Sequence, residues 1–186
     1  MKLIFIRHGK TAGNLRKRYI GQTDEPLFST GISELMGKSY PDCDLVIASP
    51  MKRCVQTAAL LYPDKEIFMI PDLRECDFGD FEGKNYQELS GNPDYQKWVD
   101  SGGKGTFPNG ENPQAFRSRC IAAFRKVIME HADRTSIAFV VHGGTIMSVL
   151  EAYAVPKDSY YAFQVANGNG YITEYDGEKI TIREQI

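Results

Sequence analysis

Three short apolar runs, "LIFI" (3–6), "LVIAS" (45–49) and "IAFVV" (137–141), constrain the fold of this chain more than any other feature. Each is continuous rather than alternating, so each calls for burial on both faces, the condition of a strand inside a parallel sheet covered by helices on either side. Each is followed by a polar or Gly-containing loop and then by helix-like sequence. The expected fold class is therefore α/β, a three-layer α/β/α sandwich with a mostly parallel central sheet. A chain of 186 residues suits one such domain over 1–186, with no internal repeat or linker to divide it.

The other segments fit this plan. "SPMKRCVQTAALLY" (49–62) opens with Ser49 and Pro50, an N-cap and first-turn pair, and spaces Val55, Ala58, Ala59 and Tyr62 as a helix does. "EIFMI" (66–70) reads as a short strand, 112–132 as a long amphipathic helix, and the stretch after "HGGT" as a helix running to Pro156. "YYAFQV", "GYITEY" and "KITIRE" alternate in the manner of strands and predict an antiparallel edge. The stretch 78–113 lacks periodicity and is rich in Gly, Asn and aromatics, so it is expected to cover the carboxyl edge of the sheet, where α/β folds bind ligands.

A net charge of −2 gives no global attraction to nucleic acid or anionic membranes, so any anion site must be local. The apolar runs fall far short of the ~20 residues that span a bilayer. The N-terminus passes straight from "LIFI" into Arg7-His8 with no signal-peptide core, which predicts a cytoplasmic protein. Cys43, Cys54, Cys76 and Cys120 are scattered, with no C-x-x-C pair, and read as reduced packing residues; no metal or cofactor is expected. The oligomeric state is left open, and a homodimer is allowed.

"RHGKT" at the end of the first run suggests a nucleotide-binding P-loop, but that motif needs a glycine five residues before its Gly-Lys pair, and here the position is Ile4. What remains is Arg7 and His8 at a strand end, with Thr11 and Asn14 beyond. His142 follows another buried run in "VVHGGT", and Arg53 falls in the first turn of the 49–62 helix, where the backbone dipole also favours anions. Taken singly, a histidine after a strand is commonly structural and a first-turn arginine commonly a solvated charge. Jointly they are specific, because two of only three histidines occupy His-Gly pairs directly after buried runs. They would converge on one anion if the two strands are neighbours, which the pattern alone does not force. His131, at the end of a long helix, reads as a favourable C-terminal charge.

With these residues assembled, the chain resembles the histidine phosphatase superfamily, the phosphoglycerate-mutase-like group, through "RHGKTAGN", "GQTDEPLFSTG", "ASPMKRCVQTA", "LRECDFGDFEG" and "VVHGG", in that order. Lys10 departs from the acidic residue common in the family. The resemblance implies that His8 is the nucleophile, that Arg7, Arg53 and a cationic His142 hold the transferring phosphoryl group, and that Asn14, Gln22, Thr23 and the amide of Gly143 add phosphate contacts. It implies that Glu75 is the general acid, with Asp77 and Glu82 reading as loop carboxylates that solvate the loop or cap turns. The substrate is then a small-molecule phosphate monoester, with no metal.

The superfamily holds both mutases and phosphatases. From Glu75 to Phe116 there is no Arg and only Lys84, Lys97 and Lys104, which favours release of product to water. The length, "LRECDFGDFEG", "FPNGENPQAFRSRC" and the "YYAFQVANGNGYITEYDG" tail are similar to the alpha-ribazole-5'-phosphate phosphatases of cobalamin nucleotide-loop assembly; broad-specificity sugar or nucleotide phosphatases share much of this. The aromatics of the cover, Phe78, Phe81, Tyr86, Tyr95, Trp98, Phe107 and Phe116, either stack on a planar leaving group or anchor the cover. A non-catalytic module would typically have lost His8, Arg53, His142 or Glu75. The cluster Arg16-Lys17-Arg18 reads as a solvated face rather than a nucleic-acid site, with Arg18 a candidate for the pocket entrance.

Overall fold

The computed structural model describes all 186 residues. Seven strands form one sheet: β1 (Lys2–Arg7), β2 (Leu45–Ala48), β3 (Ile67–Met69), β4 (Ser136–Val141), β5 (Ala154–Val155), β6 (Gly170–Tyr175) and β7 (Ile180–Gln185), in the order β3-β2-β4-β1-β6-β7-β5. β1, β2, β3 and β4 are mutually parallel. β6 runs against both β1 and β7, while β5 runs with β7. The antiparallel pairing of the tail thus falls on one side of the sheet, with β6 the single reversed strand.

The continuous apolar runs divide between two cores with a period of two. Leu3 and Phe5 of β1, Leu45 and Ile47 of β2, and Ile137, Phe139 and Val141 of β4 face one side, under helices α5 (Pro113–Glu130) and α6 (Gly143–Tyr153). Ile4, Ile6, Val46, Ala48, Ala138 and Val140 face the other, under α3 (Lys52–Leu61) with Ala58 and Tyr62. Each fully buried large side chain contributes about 1.5–3 kcal/mol of transfer free energy, so a polar residue in these runs would be costly. α1 (Ala12–Leu15) and α2 (Ser29–Met36) follow β1.

Two expectations change. "YYAFQV" is not a strand: Tyr160–Phe163 forms a 3-10 turn that buries Phe163 against α6 and lays Tyr160 over Arg117. Its aromatic spacing of three serves one face of a turn as readily as a strand's alternation. Ser49 is not the cap of α3 either, because that helix begins after Met51 without a side-chain cap.

The cover carries α4 (Pro93–Asp100), capped by Asn92, and a third core made by Cys76, Phe81, Leu89, Phe107, Phe116 and Cys120, flanked by Tyr19, Phe78, Tyr95 and Trp98. All four cysteines are free and buried. No helix is long and apolar enough to cross a membrane.

Candidate active site

The strand order supplies the adjacency that the sequence pattern could not. β1 and β4 pair in parallel with Arg7 opposite Val141, so the residues that follow, His8 and His142, emerge side by side. Their rings lie 5.2 Å apart, edge to face. β2 flanks β4 on its other side and brings Ser49 to the same edge, where its hydroxyl shares a 2.8 Å hydrogen bond with His142 Nε2. This contact is where the apparent N-cap signal of Ser49 goes.

His8 is buried, and its Nδ1 lies 2.7 Å from the Gly9 carbonyl. A carbonyl only accepts, so the proton sits on Nδ1 and the lone pair on Nε2 is left to react. Its pKa lies well below the ordinary value because burial disfavours the cation and Arg53 and Arg7 repel it; the Gly9 hydrogen bond opposes this in part. Burial, then Arg53, His8 and Arg7, depress His142 in the same way. The cationic His142 implied by the family resemblance is therefore not the form of the free site, where both imidazoles are neutral. A bound phosphoryl dianion would act in the opposite direction.

Both arginines are built in from below. Arg53, fully buried in the first turn of α3, donates to the carbonyls of Thr23 (2.8 Å), Gly21 (2.8 Å) and Ile20 (3.4 Å). Arg7 donates to the Val165 carbonyl at 2.7 Å. The Nε of each is buried without a partner. An orphaned buried donor is rare, and two of them beside one nucleophile are what an oxyanion would satisfy.

Glu75 is half-buried, its carboxylate accepting from the Cys76 amide at 3.0 Å and the Gly144 amide at 3.4 Å. Burial raises its pKa; the Cys76 amide, Arg53 and Arg7 oppose the rise. Gly144 is needed here, since a Cβ would stand 2.5 Å from Glu75 Oε1 and 2.9 Å from the Phe116 ring.

A cavity of about 560 Å³ joins Arg7, His8, Asn14, Glu75 and Gly143. Asn14 is oriented through its Oδ1, which accepts from the Thr11 amide and from Asn167. Arg53 and His142 do not line the cavity; His142 stands behind its surface with its ring against that of His8. Gln22 and Thr23 do not line the cavity. They are exposed, and both bind the carboxylate of Glu82, which also takes the Gly21 amide. Asp77 caps the turn at Gly79, as expected.

Above the phosphate end, the wall is aromatic and comes from distant segments: Tyr19, Phe78, Tyr86, Trp98, Phe107, Phe116, Tyr160 and Tyr161. Lys84, Lys97 and Lys104 take no part in it. The cations at its rim are Lys17, Arg18 and Arg117, of which Arg18 pairs with Glu88 and Arg117 with Glu151. Sequence reasoning missed Tyr19, Arg117, Tyr160, Tyr161, Gln164 and Asn167, since no local pattern marks them.

Comparison with known proteins agrees with this geometry. The chain is 30% identical over 180 residues to the adenosylcobalamin/alpha-ribazole phosphatase of Escherichia coli, covering 90% of this chain and 87% of that one. It is 27% identical over 199 residues to a broad-specificity phosphatase of Saccharomyces cerevisiae, covering 98% and 84%. The crystal structure of the alpha-ribazole phosphatase from Shigella flexneri superposes with a TM-score of 0.85 at 28% identity, covering 98% and 95%. The sequence profile of the histidine phosphatase superfamily (branch 1) matches residues 3–185, and with that match over nearly the whole length the chain belongs to this superfamily.

Proposed function

We propose that the protein is a phosphomonoesterase that works through a phosphohistidine on His8 and takes phosphate esters of planar heteroaromatic nucleosides, of which alpha-ribazole 5'-phosphate is the first candidate. The observation that carries the chemistry is a neutral imidazole with its tautomer fixed, set beside two buried guanidinium groups whose Nε donors have no partner. His8 Nε2 attacks phosphorus as the P–O bond to the leaving group breaks. The positive charge that develops on the ring is held at Nδ1–H by the Gly9 carbonyl. Arg7 and Arg53 compensate the non-bridging oxygens and the Gly143 amide adds a donor, joined by His142 once the bound dianion favours its protonation. The departing oxygen takes the Glu75 proton; Glu75, now ionised, takes a proton from water as that water displaces His8 from phosphorus.

A protonated Glu75 is needed in the first step, so kcat should fall as rising pH ionises it, and its raised pKa extends the active range upward. Glu75→Gln is expected to lower kcat/KM, which reports the steps up to leaving-group departure, by about 10²–10⁴ for an alkyl phosphate and much less for p-nitrophenyl phosphate, whose phenolate leaves without a proton. Equal losses on both esters would remove Glu75 from the acid role.

The leaving-group reading is supported by which aromatics remain free. Phe81, Phe107 and Phe116 are consumed by the core of the cover, but Tyr86 and Tyr161 stand at the cavity mouth 57% and 56% exposed. Base-aromatic stacking is worth ~1–3 kcal/mol. In Tyr86→Ala and Tyr161→Ala, the ratio of kcat/KM for a nucleoside 5'-phosphate to that for glycerol 2-phosphate should fall about tenfold. An unchanged ratio would leave the two tyrosines without a part in selection.

The reading as a whole is tested by a screen in EDTA over alpha-ribazole 5'-phosphate, nucleotides, sugar phosphates and 3-phosphoglycerate. Preference for the first supports it; isomerisation of phosphoglycerate without net release of phosphate overturns the hydrolase assignment.

A further inference from the structure

Glu82 lies in the cover, outside the cavity, and reads from the sequence as a solvated loop carboxylate. Its surroundings are more organised than that. Oε1 accepts from the amides of Gly21 (2.9 Å) and Gln22 (2.8 Å), and Oε2 from the Thr23 hydroxyl (2.8 Å). Across the same segment, Arg53 donates to the carbonyls of Ile20, Gly21 and Thr23.

These contacts share peptide groups. The unit joining Ile20 to Gly21 gives its carbonyl to Arg53 and its N–H to Glu82, and so does the unit joining Gly21 to Gln22. Two consecutive peptide dipoles therefore lie between a carboxylate and a guanidinium, each polarised from both ends, an arrangement that strengthens both sets of hydrogen bonds. Gly21 makes the approach possible: a Cβ there would stand 1.9 Å from the Cys76 carbonyl and 2.4 Å from Glu82 Oε1. The segment also reaches the acid, since Gln22 Nε2 donates to the backbone carbonyl of Glu75 at 3.0 Å.

We propose that Glu82 is a positioning residue for Arg53: by fixing the amides of the 20–23 segment, it turns the carbonyls inward and aims the guanidinium at the phosphoryl site. The proposal rests on the phosphoryl-transfer reading above. Without Glu82 the carbonyls are free to rotate, and Arg53 loses the contacts that set its direction.

The test is a double-mutant cycle, with Glu82→Ala and Glu82→Gln each made alone and with Arg53→Ala. It is read by kcat on p-nitrophenyl phosphate and by orthovanadate binding, followed through the single tryptophan, Trp98, which lines the cavity. Glu82→Ala alone should lower kcat roughly 10²-fold, the scale of a small misplacement of a catalytic group, and weaken vanadate comparably. Glu82→Gln, which keeps an acceptor for the two amides but not the charge, should fall between. In the Arg53→Ala background the same change should alter kcat less than about twofold, because the group it positions is gone. A merely structural role predicts losses that multiply, and that result, or full activity in Glu82→Ala, overturns the proposal. If Glu82→Ala does not fold, the glutamine cycle carries the test. If the wild type hydrolyses no phosphomonoester, the phosphatase reading fails; the cycle is then read on vanadate binding, where non-additivity supports the positioning role and additivity overturns it.

Discussion

His8→Ala is expected to abolish turnover, with kcat reduced by on the order of 10⁴ or more, and to eliminate acid-labile labelling of the protein by a phosphoryl donor. The size follows from the absence of a substitute. His142, the nearest imidazole, has its Nε2 engaged by Ser49 and lies behind the cavity surface, and Cys54 and Cys76 have thiols that burial pushes upward in pKa and away from thiolate. A stability readout accompanies the kinetic one. The folded protein holds His8 neutral while the unfolded chain takes up a proton below about pH 6.5, so acidification through that value favours unfolding. Removing the imidazole should flatten the decline on the acid side, leaving the part due to His142. Retention of turnover would remove His8 from the nucleophile role, and an unchanged pH dependence of Tm would contradict its depressed pKa.

The second large effect belongs to Arg53. Arg53→Ala should lower kcat/KM by roughly 10³-fold or more, the range measured for arginines that stabilise transferring phosphoryl groups. It should also destabilise the fold, because the buried Ile20 and Gly21 carbonyls lose their donor, at about 1–3 kcal/mol for each left unpaired, with a smaller loss at the more exposed Thr23. Arg53→Lys restores the charge but not the fork that holds three carbonyls while keeping Nε free, so it should recover little of either loss. A lysine variant with wild-type kinetics would show that charge alone suffices. Steady-state kinetics and thermal melts separate the two components.

The parts of the molecule governed by local pattern were legible in the sequence. β1, β2 and β4 follow from continuous apolar runs, and α5 begins at the expected Asn112-Pro113 pair. His8, Arg53, Glu75 and His142 were picked out by their positions at strand ends, in a first helical turn and in a matching motif; His8 and Glu75 line one cavity and His142 packs against His8, while Arg53 lies outside the lining. The misses share a physical cause, which is that a side chain's partner was distant in the chain. Ser49 carries a cap signal yet spends its hydroxyl on His142, 93 positions away. Glu82 and the aromatic rim from Tyr19 to Tyr161 acquire meaning only when the cover folds back over the sheet. The neutral state of His142 in the free site was likewise illegible, because a motif specifies proximity to phosphate but not the desolvation that governs protonation before phosphate binds.

The cover keeps an apolar nucleus of its own, distinct from the two that flank the sheet. Repacking the outer part of that nucleus, around Leu89, Trp98 and Phe107, can thus reshape the mouth, while Cys76 beside Glu75 and Glu82 beneath the 20–23 segment tie its inner edge to the strand ends that bear the phosphorus chemistry. Such a division lets descendants of one scaffold exchange alcohol preference piecemeal, with the reaction itself inherited intact.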